Sequence, residues 1–159
     1  MIRTGIGFDT HRFAKGRKLV LAGVTIKHKA GLDGHSDADV LCHAIADALL
    51  GAMADGDIGT HFPNTDEAWK DACSVDLLKR VAARVKELHG SIINVDSTIV
   101  AEQPRVAPYT ARMRANLSHA LGIKVDHISV KATSAERMGA LGREEGISAM
   151  AVATVEQKG

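Results

Sequence analysis

Ile2-Arg3-Thr4-Gly5-Ile6-Gly7-Phe8-Asp9-Thr10-His11 alternates with a period of two, and that alternation decides the fold. Ile2, Thr4, Ile6, Phe8 and Thr10 point one way, while Arg3, Gly5, Gly7, Asp9 and His11 point the other, as a strand requires. Gly5 and Gly7 leave room on their face for another backbone to come close. Asp9 and His11 lie on that same face.

Working outward, Leu19–Leu21 and Val24–Ile26, separated by Ala22-Gly23, predict a short hairpin. Val40, Leu41, Ala44, Ile45, Ala48 and Leu49 recur at helical spacing, so a helix is expected from about Ser36. Ser36 is read as its cap, with Asp39 completing a capping box, and Gly51 and Gly56 bracket its end. Leu78, Val81, Val85 and Leu88 predict a second helix over 74–88, stopped by Gly90. Strands follow at Ile93–Ile99, Ile128–Ala132 and Ile147–Val155, with a helix over Pro108–Leu121 ended by Gly122. This order predicts one α+β domain over 1–159: a mixed sheet with helices packed on one side.

Composition excludes several functions. The 159 residues carry 20 Lys+Arg against 19 Asp+Glu, so a net charge of +1 supplies no general field for nucleic acid or an anionic membrane. Aromatics at 3% offer no surface for stacking bases. The longest apolar stretch, Ala44 to Ala54, is interrupted by Asp47 and is too short to span a bilayer. Only Cys42 and Cys73 occur, with no C-x-x-C and no signal-like start, so a reducing cytoplasm is expected.

Asp9 and His11, two apart on a strand, project a carboxylate and an imidazole in parallel and can chelate one cation. Ser36, Asp39, His43 and Asp47 form a polar stripe beside the apolar helix face, placing His43 where it can meet that strand. A lone D-x-H is more often surface decoration. Its company strengthens it: two histidines and one carboxylate leave an open coordination position, as catalytic zinc does. Cys42, about 100° around the helix from His43, is expected to pack in the core. His28, His61, His89, His119 and His127 are scattered and expected to be solvated, whereas His35 precedes the helix cap, where anions are favoured.

Two further segments are rich in polar groups. Asp55 to Asp66 is a loop combining carboxylates, hydroxyls and glycines, suited to a polyol or to an ordinary connection. Lys131-Ala132-Thr133-Ser134-Ala135-Glu136 ends a strand with adjacent hydroxyls and a carboxylate. It suits phosphate oxygens and a hard cation, or a plain helix cap.

Together, Gly7-Phe8-Asp9-Thr10-His11, Gly34-His35-Ser36-Asp37-Ala38-Asp39-Val40 with His43, Gly51 through Phe62-Pro63-Asn64-Thr65-Asp66, Asn94-Val95-Asp96 and Lys131-Ala132-Thr133 closely resemble the 2-C-methyl-D-erythritol 2,4-cyclodiphosphate synthase family over nearly the whole chain. The resemblance implies cyclisation of a diphosphocytidyl methylerythritol 2-phosphate with release of CMP, in the non-mevalonate isoprenoid pathway. It implies that Asp9, His11 and His43 bind zinc or another divalent transition metal, and that Glu136 binds magnesium or manganese. His35 and Ser134 would be catalytic, anchoring phosphate. Asp57, Ile58, Gly59, Phe62, Pro63, Asn64, Thr65 and Asp66 would receive the methylerythritol. Ala101, Glu102, Gln103, Pro104, Arg105, Val106 and Ala107, with Thr133, would surround cytidine. Ser36, Ala135, Ala140 and Arg143 would complete the substrate contacts, Arg143 adding positive charge.

The family is a homotrimer with shared active sites, so a trimer with the site between subunits is expected. Departures from the family pattern are Asn64 where aspartate is frequent, Ser134 for threonine, and Ala140 and Met150 where some members carry phenylalanine and glutamate. Competing readings are a metal-dependent phosphoesterase or pyrophosphatase, a non-haem iron oxygenase, and a non-catalytic trimeric nucleotide-binding module.

Overall fold

The computed structural model describes all residues, Met1–Gly159. Its elements in chain order are β1 (Ile2–Ala14), β2 (Leu19–Leu21), β3 (Val24–Ile26), β4 (Gly31–Leu32), α1 (Val40–Met53), α2 (Ile58–His61), α3 (Ser74–Glu87), β5 (Gly90–Val100), α4 (Thr110–Leu121), β6 (Ile128–Thr133), α5 (Gly139–Gly142) and β7 (Gly146–Gln157), with 3₁₀ turns between them. The main sheet runs β4-β1-β7-β5-β6, and β2-β3 forms a separate hairpin. Only β5 and β6 pair in parallel, α4 supplying the crossover that a parallel pair needs. The expected mixed sheet with helices on one side is therefore what forms. No helix is long and apolar enough to cross a membrane.

The glycines of β1 determine where α1 sits. A Cβ built on Gly7 would lie 1.9 Å from the Ala44 carbonyl oxygen, and one on Gly5 2.0 Å from that of Ala48. The helix backbone therefore rests directly on the strand, an approach only glycine permits. Ala44 and Ala48, one turn apart, present the matching small surface, and both are fully buried. Leu41, Ile45, Leu49, Ile99, Leu78 and Leu117 fill the remaining space between sheet and helices.

The opposite face of the sheet is different. Ile6 is 70% exposed, Phe8 56%, Met150 47% and Val152 41%. Phe8 pairs with Met150 and Ile6 with Val152 across β1 and β7, so these side chains form one continuous apolar patch.

Several boundaries move. Asp39, not Ser36, caps α1: its carboxylate accepts from Cys42 N while also holding Ala22 N and Gly23 N of the β2–β3 turn. The capping-box reading failed because Asp39 had a tertiary task that spacing does not reveal. Ser36 instead accepts from Ala38 N. The stop of α3 is Leu88, followed by His89 at φ 59°, while Gly90 already opens β5 against Val85. A bulge between Ile92 and Asn94 breaks the expected alternation in β5 and leaves Ile93 exposed, whereas Val95, Ser97 and Ile99 are buried. β1 runs on to Ala14 and gains the two-residue partner β4, which composition did not signal. The hairpin, α4 and its Gly122 cap in the left-handed conformation fall where expected.

Candidate metal centre and its cavities

β1 delivers Asp9 and His11 on the face that α1 covers, and His43 precedes Ala44, one of the residues that contact the strand. The donor atoms converge: His11 Nε2 lies 2.9 Å and His43 Nδ1 3.0 Å from Asp9 Oδ2, with 3.3 Å between the two nitrogens. Tetrahedral zinc, with bonds of about 2.0–2.1 Å, needs donors about 3.3 Å apart.

Hydrogen-bond bookkeeping sets the ring orientations. His11 Nδ1 is 2.6 Å from the Asp33 carbonyl, which can only accept, so the proton sits on Nδ1 and Nε2 is the ring's lone pair. The Ser74 hydroxyl donates to Asp37, so at 2.9 Å it accepts from His43 Nε2 and leaves Nδ1 as the lone pair. Two lone pairs and a carboxylate oxygen facing one point repel one another unless a cation sits among them, and these residues fit a divalent metal. In the metal-free protein a proton can take that place. Burial pushes the Asp9 carboxyl up, but its close contacts with the His11 and His43 rings, once a proton sits between them, outweigh it and hold it well below the usual carboxylate range. Burial likewise lowers His11, and the bond to Asp9 more than reverses this, raising it above 6.5.

The metal donors open into a cavity of ≈ 390 Å³ rimmed by His35, Ser36, Ile58, Gly59, Phe62 and Asn64. Pro63 lies on the same rim, as do Trp69 and Leu77. Arg17 grips the carbonyls of Gly34 and Ser36, on either side of His35, whose Nε2 is 3.2 Å from the Asp66 carbonyl. Asp47, one helical turn beyond His43, accepts from Ile58 N at 2.8 Å and ties the loop to α1. Asp57 does not line the cavity; its carboxylate caps α2 through Thr60. Thr65 and Asp66 lie outside the lining, and the Asp66 carboxylate accepts from Ala68 N.

A second cavity of ≈ 310 Å³ is lined by Ala101, Glu102, Pro104, Arg105, Val106 and Ala107, together with Ala132, Thr133 and Ser134. It shares no residue with the first. Glu102 uses one carboxylate oxygen to accept from both Ala135 N and Arg137 N, at 2.9 Å each, bracketing Glu136. Glu136 has φ 51°, and its carboxylate accepts from Ser134 Oγ at 3.0 Å; no helix starts there, so the helix-cap alternative falls. Gln103, Ala135, Glu136, Ala140 and Arg143 line neither cavity, and Arg143 pairs with Glu145 at 2.7 Å. A larger, open cleft of ≈ 580 Å³ beside β5 and β6, lined in part by the Lys131–Asp96 pair, contains no candidate site residue.

Sequence reasoning missed Ser74 and Asp37 as the supports of His43, and Trp69 and Leu77 as cavity walls. Their role arises where the start of α3 meets the start of α1, a crossing no local periodicity encodes. His28 and His61 are half-buried rather than fully solvated. His28 packs on Phe13 with its Nε2 buried, and His61 bonds the Asp55 carbonyl at 2.7 Å. Cys42 is buried as expected.

An α+β scaffold bearing a carboxylate and two imidazoles beside a mixed polar and apolar cavity has the arrangement of an enzyme site that could hold a divalent metal with a coordination position open. The YgbB family matches residues 2–156. The 2-C-methyl-D-erythritol 2,4-cyclodiphosphate synthase of Syntrophomonas wolfei is 54% identical over 156 residues, 98% of this chain and 99% of that protein. The bifunctional IspDF of Campylobacter jejuni superposes with a TM-score of 0.95 at 40% identity, over 99% of this chain and 43% of that longer one. A CDP complex of IspF from Plasmodium falciparum superposes at 0.86 with 30% identity, over 99% and 97%. The chain belongs to the YgbB family of cyclodiphosphate synthases, phosphorus–oxygen lyases of isoprenoid biosynthesis.

Proposed function

We propose that this chain converts 4-diphosphocytidyl-2-C-methyl-D-erythritol 2-phosphate to 2-C-methyl-D-erythritol 2,4-cyclodiphosphate and CMP. A 2-phosphate oxygen bonds to the β-phosphorus while the bond from that phosphorus to the oxygen bridging to the α-phosphate breaks, and CMP leaves with that oxygen. The reaction asks for alignment and charge neutralisation more than for covalent work by the protein. The observation that carries this reading is the convergence of Asp9 Oδ2, His11 Nε2 and His43 Nδ1 within 3.3 Å beside a cavity where His35, Ser36 and Asn64 meet the apolar walls of Ile58, Phe62 and Trp69.

Asp9, His11 and His43 would hold zinc and Glu136 magnesium or manganese, which when bound supply Lewis-acid polarisation and charge neutralisation at the diphosphate. His35 and Ser134 position phosphate oxygens, with Ser36 beside them. Asp57, Ile58, Gly59 and Phe62 to Asp66 receive the methylerythritol, the carboxylates of Asp57 and Asp66 acting by shaping the loop. Ala101 to Ala107 and Thr133 hold cytidine, largely through backbone groups because the Glu102 carboxylate is already engaged. Ala135, Ala140 and Arg143 line the phosphate path from outside the protomer's own cavities.

The whole chain acts as one domain, and three copies close into a ring with the site between neighbours, in a reducing cytoplasm. Two features support the ring: the exposed apolar patch of Ile6, Phe8, Met150 and Val152, and the separation of the metal cavity from the nucleotide cavity. In that ring a substrate spanning both functions meets one cavity from each of two copies. Phosphorus NMR of the products tests the reaction. Cyclic diphosphate and CMP in equal amounts are expected, whereas a linear bisphosphate or free phosphate would assign a hydrolase instead.

A further inference from the structure

The loop between α1 and α3 carries Ile58, Gly59, Phe62, Pro63 and Asn64 to the metal cavity, with Ile58 and Phe62 half-buried against the core. A second void of ≈ 250 Å³ sits on its far side, against Leu50 and Val81. With a void on its far side, the loop is held only in part by these dispersion contacts, and its position also depends on polar anchors. Besides the contact of His35 with the Asp66 carbonyl, four of these set the loop. Asp47 takes the Ile58 amide from the α1 side. His61 Nε2 donates to the Asp55 carbonyl at 2.7 Å, closing residues 55 to 61 into a ring. The other two anchors come from α3.

Arg84 meets Asp55 with both prongs of its guanidinium, Nε to Oδ2 at 2.8 Å and Nη2 to Oδ1 at 3.1 Å. A two-pronged pair fixes direction as well as distance, which a lysine cannot do. The bond from Arg84 holds the Asp55 carboxyl below its ordinary value, so the pair stays charged at neutral pH. One turn earlier on the same helix face, Arg80 lies 5.4 Å from the centre of the Trp69 ring, and Trp69 stands edge-on to Phe62 at 5.0 Å. Phe62 and Trp69 both wall the metal cavity. Arg84 thus holds the start of the loop and Arg80 its end, from a helix that contributes no donor to the metal.

We infer that Arg80 and Arg84 of α3 are positioning residues that set the shape of the polyol half of the site, acting through Asp55 and Trp69, with Arg84 the stronger. This rests on the proposed function only in naming what the loop receives. The mechanism predicts a selective effect. Losing the fork lets the loop wander, so binding of a ligand bearing the polyol weakens, while CDP and the metal, held by other segments, bind as before.

The test compares Arg84→Met, which keeps the stem but removes the fork, with Arg84→Lys and, as an independent break of the same pair, Asp55→Asn. In metal-loaded protein, amides of residues 56–62 in Arg84→Met should exchange with deuterium about tenfold faster, and KM for the diphosphocytidyl substrate should rise about tenfold. The expected kcat stays within about twofold, and CDP affinity and metal content are unchanged. Arg84→Lys should recover only part of the loss, and Asp55→Asn should reproduce it. Unchanged exchange and KM in both folded variants would overturn the inference. So would a parallel fall in CDP affinity and metal content, the mark of a general structural role. Faster exchange confined to 56–62 in a protein whose wild type does not turn over this substrate would uphold the pinning and sink the proposed function.

Discussion

The two faces of β1 follow the same rule of alternation and end in opposite states. On the inner face Gly5 and Gly7 are buried under α1, and Asp9 and His11 continue that face, His11 reaching the cavity lining. On the outer face Ile6 and Phe8 stand 70% and 56% exposed beside Met150 and Val152. One chain finishes the inner face by itself, with its own helix supplying the missing surface and His43 with it. It leaves the outer face unfinished. The metal corner and the exposed apolar patch are therefore separated by the thickness of one strand, and metal binding and the outer face can be disturbed independently.

The largest expected effect is on the inner face. Gly7→Val should leave no folded protein, because even the first carbon would lie 1.9 Å from a helix carbonyl; overpacking of this kind costs about 3 kcal/mol or more. A soluble variant with a melting temperature near that of the wild type would break the contrast between the faces. The outer face should tolerate far more. If the proposed ring forms through this patch, Ile6→Asp gives a folded protomer with full metal content that runs at the mass of one chain in light scattering and has lost turnover. An intact trimer, or loss of metal alongside assembly, would contradict the separation.

A smaller effect concerns pH at the metal corner. In the metal-free protein His11 is raised and Asp9 depressed, so their pair stabilises the fold above the unfolded carboxylate value and below the unfolded histidine value. The Asp9 contribution fades as pH falls through its depressed value, and the His11 contribution fades as pH rises through its raised one. Metal competes with the His11 proton. The melting-temperature gain from added zinc should therefore widen as pH rises through the raised His11 value, as differential scanning calorimetry of loaded and metal-free protein would record. A gain that narrows over that range would show that His11 is not a ligand.

Strands and helices were legible where one physical cause controlled the pattern. The alternation of Ile2 to His11 and the 3.6-residue repeat of Val40 to Leu49 each reflect burial of one face, and both appeared as expected. Asp39 was misjudged because a buried carboxylate holding Ala22 and Gly23 looks, in one dimension, like the third residue of a capping box. The bulge at Ile93 was invisible because nothing local marks an extra residue in a ladder. In the site, Asp9, His11 and His43 could be brought together from periodicity, since two regular elements carry them. Ser74, Asp37 and the α3 arginines could not, because their partners are set by the crossing of helices far apart in sequence. The exposed outer patch was half legible: Ile6 and Phe8 were known to share a face, but whether that face was covered depended on where every helix packed.

Metal stoichiometry measured on wild type and His43→Ala by elemental analysis, after dialysis against a slight excess of zinc, tests the central claim most directly. The wild type is expected to retain one zinc per chain at this corner and His43→Ala to lose it while remaining folded. Equal retention in both proteins, or none in the wild type, would contradict the account.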